Sequence, residues 1–209
     1  MHHKYLILYL VFSVFLLSVA MLPRQTLAAS GDDARQFVDK LGKQVLATLN
    51  NNGESKEEKR QQLQKMFMDN MDIGWMGRFA LGPDWRQATE DQKKRYLDAY
   101  RQYLLARYTT NFTDYTGSNY TITGVQAGQD GQFTVNMQIK TPKQSQVTEA
   151  GYTVQMGKDG QFKITDIIVE GVSMITTQRS DFSSVFQQKG MDGLVTEIQN
   201  KMRAEKNSS

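Results

Sequence analysis

The chain of 209 residues contains no cysteine and only two histidines, His2 and His3. Without cysteine the fold must hold with no disulfide, and a thiolate nucleophile is excluded. Both histidines fall in the N-terminal stretch "MHHKYLILYLVFSVFLLSVAMLPRQTLAAS". That stretch has a short basic start, an apolar run over residues 5–22, and a polar segment ending in small residues. This is the layout of a secretory signal peptide. A cut is expected after Ala28, with Thr26 and Ala28 as the small specificity positions, which leaves residues 29–209 as a single mature domain outside the cytoplasm. The apolar run is long for a signal, so a retained membrane anchor is the competing reading. No later segment approaches the ~18 apolar residues that a spanning helix needs. A mature chain without histidine lacks the commonest general base, the Ser-His triads and the usual zinc ligands.

Strong charge of one sign is also missing. The 25 basic residues face 22 acidic ones, and removing Lys4 and Arg24 with the signal leaves 23 against 22. A net charge this small argues against a nucleic-acid partner, which requires a dense basic face.

What is present is a run of helical patterns followed by strand patterns. Phe37, Val38, Leu41, Val45, Leu46 and Leu49 recur at helical spacing, predicting a helix over 32–50. "NNNGES" breaks it, and Ser55 with Glu58 forms a capping box for a helix reaching Met71. "IGWMGRFALG" reads as a short helix stopped at Gly82 by Pro83. Thr89 with Gln92 is a second capping box. The helix after it carries Leu97, Tyr100, Leu104, Tyr108, Phe112 and Tyr115 on one stripe, widened by Tyr96 and Tyr103. A face this broad has to lie on something large and apolar.

The period then changes from helical to alternating. Tyr120 and Ile122, then Phe133, Val135, Met137 and Ile139, then Tyr152, Val154 and Met156, then Phe162 and Ile164 alternate with polar residues. The turns "QAGQDG", "TPKQSQ" and "GKDG" separate them. This predicts an antiparallel meander with one apolar and one wet face. Two helices, over 179–189 and 192–205, close the chain. Helices first and sheet second gives an α+β fold, helices packed on one face of a curved antiparallel sheet and enclosing an apolar pocket.

Two polar residues invite a chemical reading. Asp166 is in phase with Phe162 and Ile164 and is expected on the apolar face, either as a general base with a raised pKa or as a structural carboxylate paired with a buried donor. Ser173 has no GxSxG frame and no histidine, so it reads as a packing or capping residue. Glu170 with Gly171 marks a bulge or bend. The 9 tyrosines and 11 methionines lie mostly on apolar stripes. They make an ordinary core or the wall of a ligand cavity, since methionine adapts to irregular space and tyrosine suits a wet rim.

Three segments, "ALGPDWRQATEDQKKRYLDAYRQYLLARY", "TDIIVEGVSMITTQRSDF" and "KGMDGL", resemble in order and spacing the MlaC family of periplasmic phospholipid-binding proteins, also called toluene-tolerance auxiliary proteins. The resemblance spans residues 80–194. It implies a cone related to the cystatin and NTF2 folds, phospholipid tails in a deep apolar pocket, and a head group left outside. It also implies two partners, an inner-membrane ABC transporter with an MCE-domain subunit and an outer-membrane lipoprotein–porin complex. A carrier of this kind needs no cofactor, metal or catalytic residue, and is expected to be a monomer. The shared stripe of helix and strands sets Tyr100, Leu104, Tyr108, Met137, Ile139, Val154, Ile164, Ile168, Val172 and Met174 as the expected lipid-binding wall. The alternative is a cavity enzyme on the same cone, with Asp166 as base and a tyrosine as oxyanion donor.

Overall fold

The computed structural model describes residues 29–110, 112–143 and 146–207. The expected signal peptide, 1–28, and its cut after Ala28 lie outside the described residues. Helix α1 spans Gly31–Asn50, α2 Lys56–Asn70, α3 Ile73–Leu81 and α4 Glu90–Thr109. Local chemistry sets each start. Ser30 with Asp33, Ser55 with Glu58, and Thr89 with Gln92 all form capping boxes, satisfying donors that a helix N-terminus leaves free. Asp72 caps α3 by accepting from the Trp75 N–H at 2.8 Å.

The α3 helix ends at Leu81 with Gly82 as its C-cap, as the sequence reading has it, and the chain then tightens into a 3-10 helix, Gly82–Gln87. Pro83 sits in its first turn, where a missing N–H costs nothing. The apolar stripe of α4 was expected to continue through Phe112 and Tyr115. The α-helix instead ends at Thr109, and Phe112–Tyr115 is a separate 3-10 turn.

Strands β1 (Asn119–Ala127), β2 (Phe133–Lys140), β3 (Thr148–Met156), β4 (Phe162–Val169) and β5 (Val172–Ser173) form one sheet in that order, every neighbouring pair antiparallel. The meander is as the alternation predicted. The last helix, α5, spans Met174–Asn207 and is kinked at Gly190, whose φ of 66° is left-handed. Its two arms correspond to the two predicted helices, but the first begins at Met174 rather than 179. Among the described residues no helix is long and apolar enough to cross a membrane.

A dry core joins α4, α5 and the sheet. Tyr96 and Tyr100 stack at 5.9 Å between ring centres, and Phe182 of α5 stands edge-on to both. Their hydroxyls are satisfied: Tyr96 donates to the Gly77 carbonyl at 2.9 Å and Tyr100 to Oε1 of Gln178 at 2.6 Å. Burial pushes both phenols well above their ordinary pKa.

One irregularity controls which side chains face where. β3 and β4 pair Val154 with Ile164 but Thr153 with Asp166, so Thr165 is an extra residue. Such a bulge reverses the side-chain alternation beyond it. Before the bulge, Phe162 and Ile164 point to the helix-covered face. After it, Ile167 and Val169 share that face with their partners Tyr152 and Ala150. Asp166 and Ile168 therefore turn to the opposite face, alongside Thr153 and Gly151. The expectation that Asp166 continues the phase of Ile164 is overturned for this reason.

Candidate functional site: an apolar cavity beneath the sheet

A cavity of about 340 Å³ lies between α1, α2, the last turn of α4 and the inner face of the sheet. This is at the lower end of the range typical of small-molecule sites. The apolar stripe of α1 supplies Val38, Leu41, Val45, Leu46 and Leu49; α2 supplies Leu63, Met66 and Phe67. Met137, Ile139, Tyr152, Ile164, Ile167 and Val169 of the sheet form the opposite wall. Most wall residues are buried or half-buried, while Tyr115 and Asn119 are exposed and form a rim.

Close contacts pin α1 across the sheet. A Cβ on Gly42 would fall 2.8 Å from the Tyr120 ring, so the helix approaches that ring only because residue 42 is glycine. The Tyr120 hydroxyl donates to the main-chain oxygen of Asp39 at 2.9 Å, with Oδ1 of the same residue at 3.0 Å. Burial, with the Asp39 carboxylate beside it, pushes the Tyr120 phenol up to about 12. On the opposite wall burial pushes Tyr152 up to about 12 as well. Both rings stay neutral at physiological pH and add no charge to the cavity.

Of the ten residues expected on the wall, Tyr108, Met137, Ile139 and Ile164 line the cavity. Tyr100, Leu104 and Val154 are fully buried elsewhere, in the dry core. Only the last turn of α4 reaches the cavity, because its earlier turns pack on α3 and α5. Ile168 faces away from the wall because of the bulge at Thr165. Val172 is 52% exposed, since it lies on a two-residue edge strand with no element beyond it. Met174 starts α5 and is absent from the wall. Ile167, Val169, Tyr152, the α1 stripe and the α2 residues Leu63, Met66 and Phe67 were among the omissions. The α1 periodicity was visible in the sequence, but nothing local says which surface that helix covers.

Asp166 is 8% exposed and fully engaged. Its Oδ2 accepts from the Ser173 hydroxyl at 2.6 Å and its Oδ1 from the Ile175 N–H at 3.0 Å. Ser173 Oγ in turn accepts from the Thr176 N–H at 3.1 Å. Serine and aspartate thus satisfy two of the free donors of α5, which explains why that helix starts at Met174. Burial raises the Asp166 pKa, opposed by the hydrogen bonds from Ser173 and Ile175. The carboxylate does not line the cavity, so the geometry offers it no substrate to deprotonate. Glu170 and Gly171, with φ of 49° and 77°, form the tight turn between β4 and β5 that the sequence marked as a bend.

The profile of the MlaC family, described as "MlaC protein", matches residues 39–200. The intermembrane phospholipid transport system binding protein MlaC of Haemophilus influenzae is 18% identical over 190 residues, 88% of each chain. The toluene tolerance protein ttg2D of Pseudomonas putida is 24% identical over 107 residues, 51% of this chain and 49% of that one. Among solved structures, the phospholipid-binding protein from Ralstonia solanacearum in complex with a phospholipid is similar in fold, with a TM-score of 0.71. It is 20% identical, and the match covers 82% of this chain and 98% of that one.

Proposed function

The chain belongs to the MlaC family, and we propose that it is a phospholipid carrier that holds acyl tails in the cavity beneath its sheet. The observation that carries this reading is the cavity itself: an apolar wall drawn from α1, α2, α4 and the sheet, opening at a rim of Tyr115 and Asn119. The phospholipid in the Ralstonia protein of the same fold supports it.

The energetics explain why such a wall is needed. Each methylene moved from apolar surroundings into water costs about 0.8 kcal/mol. A lipid with ~30 methylenes would cost more than about 20 kcal/mol to release bare. A soluble carrier must recover nearly all of that with apolar contacts, and it has no covalent step to perform. Asp166, the single buried carboxylate on the sheet among the described residues, is committed to capping α5, so the cavity-enzyme reading loses its base.

We further infer that residues 1–28 are removed on export and that the mature chain works as a monomer in the periplasm. Its partners are then those the family implies: an inner-membrane ABC transporter with an MCE-domain subunit, and an outer-membrane lipoprotein–porin complex. The test is transfer of a fluorescent phospholipid between two vesicle populations. The protein is expected to accelerate transfer in proportion to its concentration, and a rate equal to that of vesicles alone refutes the carrier reading.

A further inference from the structure

Three side-chain atoms among the described residues are buried without a hydrogen-bond partner, and two of them are hydroxyls, on Ser118 and Thr141. Each of these residues is 7% exposed. They lie one step beyond Asn119–Lys140, the last pair of the β1–β2 ladder. Ser118 lines the cavity. A buried hydroxyl with no partner is rare in folded proteins, because desolvation is then uncompensated.

Ser118 is also rigidly held. Its own N–H donates to the Tyr115 carbonyl at 3.0 Å, and the N–H of Gly117 donates to Oδ1 of Asn50 at 2.9 Å. Two residues on, Tyr120 is tied to Asp39. The chain here runs from exposed Tyr115 and Gly117 to half-buried Tyr120. Ser118 therefore stands where the rim gives way to the apolar wall.

We propose that Ser118 binds ligand: turned toward the cavity about its Cα–Cβ bond, which breaks no hydrogen bond, its hydroxyl donates to an acyl-ester carbonyl oxygen of the bound lipid, and so fixes how deep the tails enter. This rests on the phospholipid reading above. Ester carbonyls accept hydrogen bonds and cannot donate, so they suit a free hydroxyl. In a two-chain glycerolipid they also lie between tails and head group, the position Ser118 occupies between wall and rim.

The test compares a diacyl phosphatidylcholine with its dialkyl ether analogue, which has the same chains and head group but no carbonyl. Binding is measured by competition on wild type and Ser118→Ala. Wild type is expected to prefer the ester lipid by about fivefold to tenfold, the value of one neutral hydrogen bond. Ser118→Ala should bind both lipids equally. Its thermal midpoint without lipid should match or exceed wild type, since the hydroxyl it removes has no partner. Equal binding of the two lipids by wild type overturns the proposal and leaves the carrier reading intact, with a water in place of the ester. So does an ester preference that survives in Ser118→Ala. Failure of wild type to bind either lipid overturns the carrier reading, and this proposal with it.

Discussion

The hydroxyl of Ser173 donates to Oδ2 of Asp166 at 2.6 Å, linking the start of the last helix to the fourth strand of the sheet. The same carboxylate accepts from the Ile175 N–H, so one buried group serves both sheet and helix. Asp166→Asn keeps the shape and part of this bonding. We expect it to lower stability by about 1 kcal/mol, the usual value of a helix cap, with lipid still bound. A thermal melt and a lipid assay on this variant check both; unchanged stability contradicts the capping role.

The pH dependence of that difference has a definite sign. Burial raises the pKa of Asp166, so the folded chain holds this proton more tightly than the unfolded chain. Its contribution is greatest at low pH and declines as pH rises through the window just above the ordinary carboxylate value of about 4. Asn has no such dependence. The lead of wild type over Asp166→Asn in thermal midpoint should narrow as pH rises through that window. A lead that widens would mean that the hydrogen bonds outweigh desolvation.

The bulge at Thr165 predicts opposite behaviour for two adjacent isoleucines. If the cavity holds acyl tails as proposed, Ile167→Glu places a charge against them, where it cannot be paired and costs several kcal/mol. Lipid should no longer copurify. Ile168→Glu points to the other face and should keep its lipid. Equal loss in two folded variants contradicts the register.

Core and cavity should separate in the same way. Tyr100→Phe leaves Oε1 of Gln178 without its buried donor. We expect a loss of about 1–3 kcal/mol in denaturant unfolding with lipid retained, because Tyr100 is not on the cavity wall.

The turn between β4 and β5 gives a backbone test. Gly171 has a φ of 77°, where a Cβ is strained although nothing lies within 4 Å of it. Gly171→Ala should cost about 1–2 kcal/mol, measured by chemical denaturation. An unchanged midpoint would show that the turn relaxes to another geometry.

Much of this fold was legible in the residues. Capping boxes at Ser55 and Thr89 fixed helix starts, and the switch to alternation at Tyr120 marked the sheet. Periodicity failed where one added residue changed its meaning. Nothing in "FKITDIIV" reveals that Thr165 bulges, so Ile168 was placed on the wall in the position that Ile167 holds. The start of α5 was hidden because one of its caps, Asp166, comes from the preceding strand. Tyr100 and Leu104 share a stripe with Tyr108, yet the stripe crosses from core to cavity along the helix. Only tertiary packing shows where.

The most direct measurement is native mass spectrometry of the protein purified without detergent, followed by mass analysis of what is released on denaturation. A carrier whose tails fill the cavity should fly with a two-chain phospholipid bound, lose it in Ile167→Glu, and retain it in Ile168→Glu. A folded wild-type protein recovered with no lipid, or with lipid unaffected by Ile167→Glu, would contradict the assignment of the cavity as the lipid site.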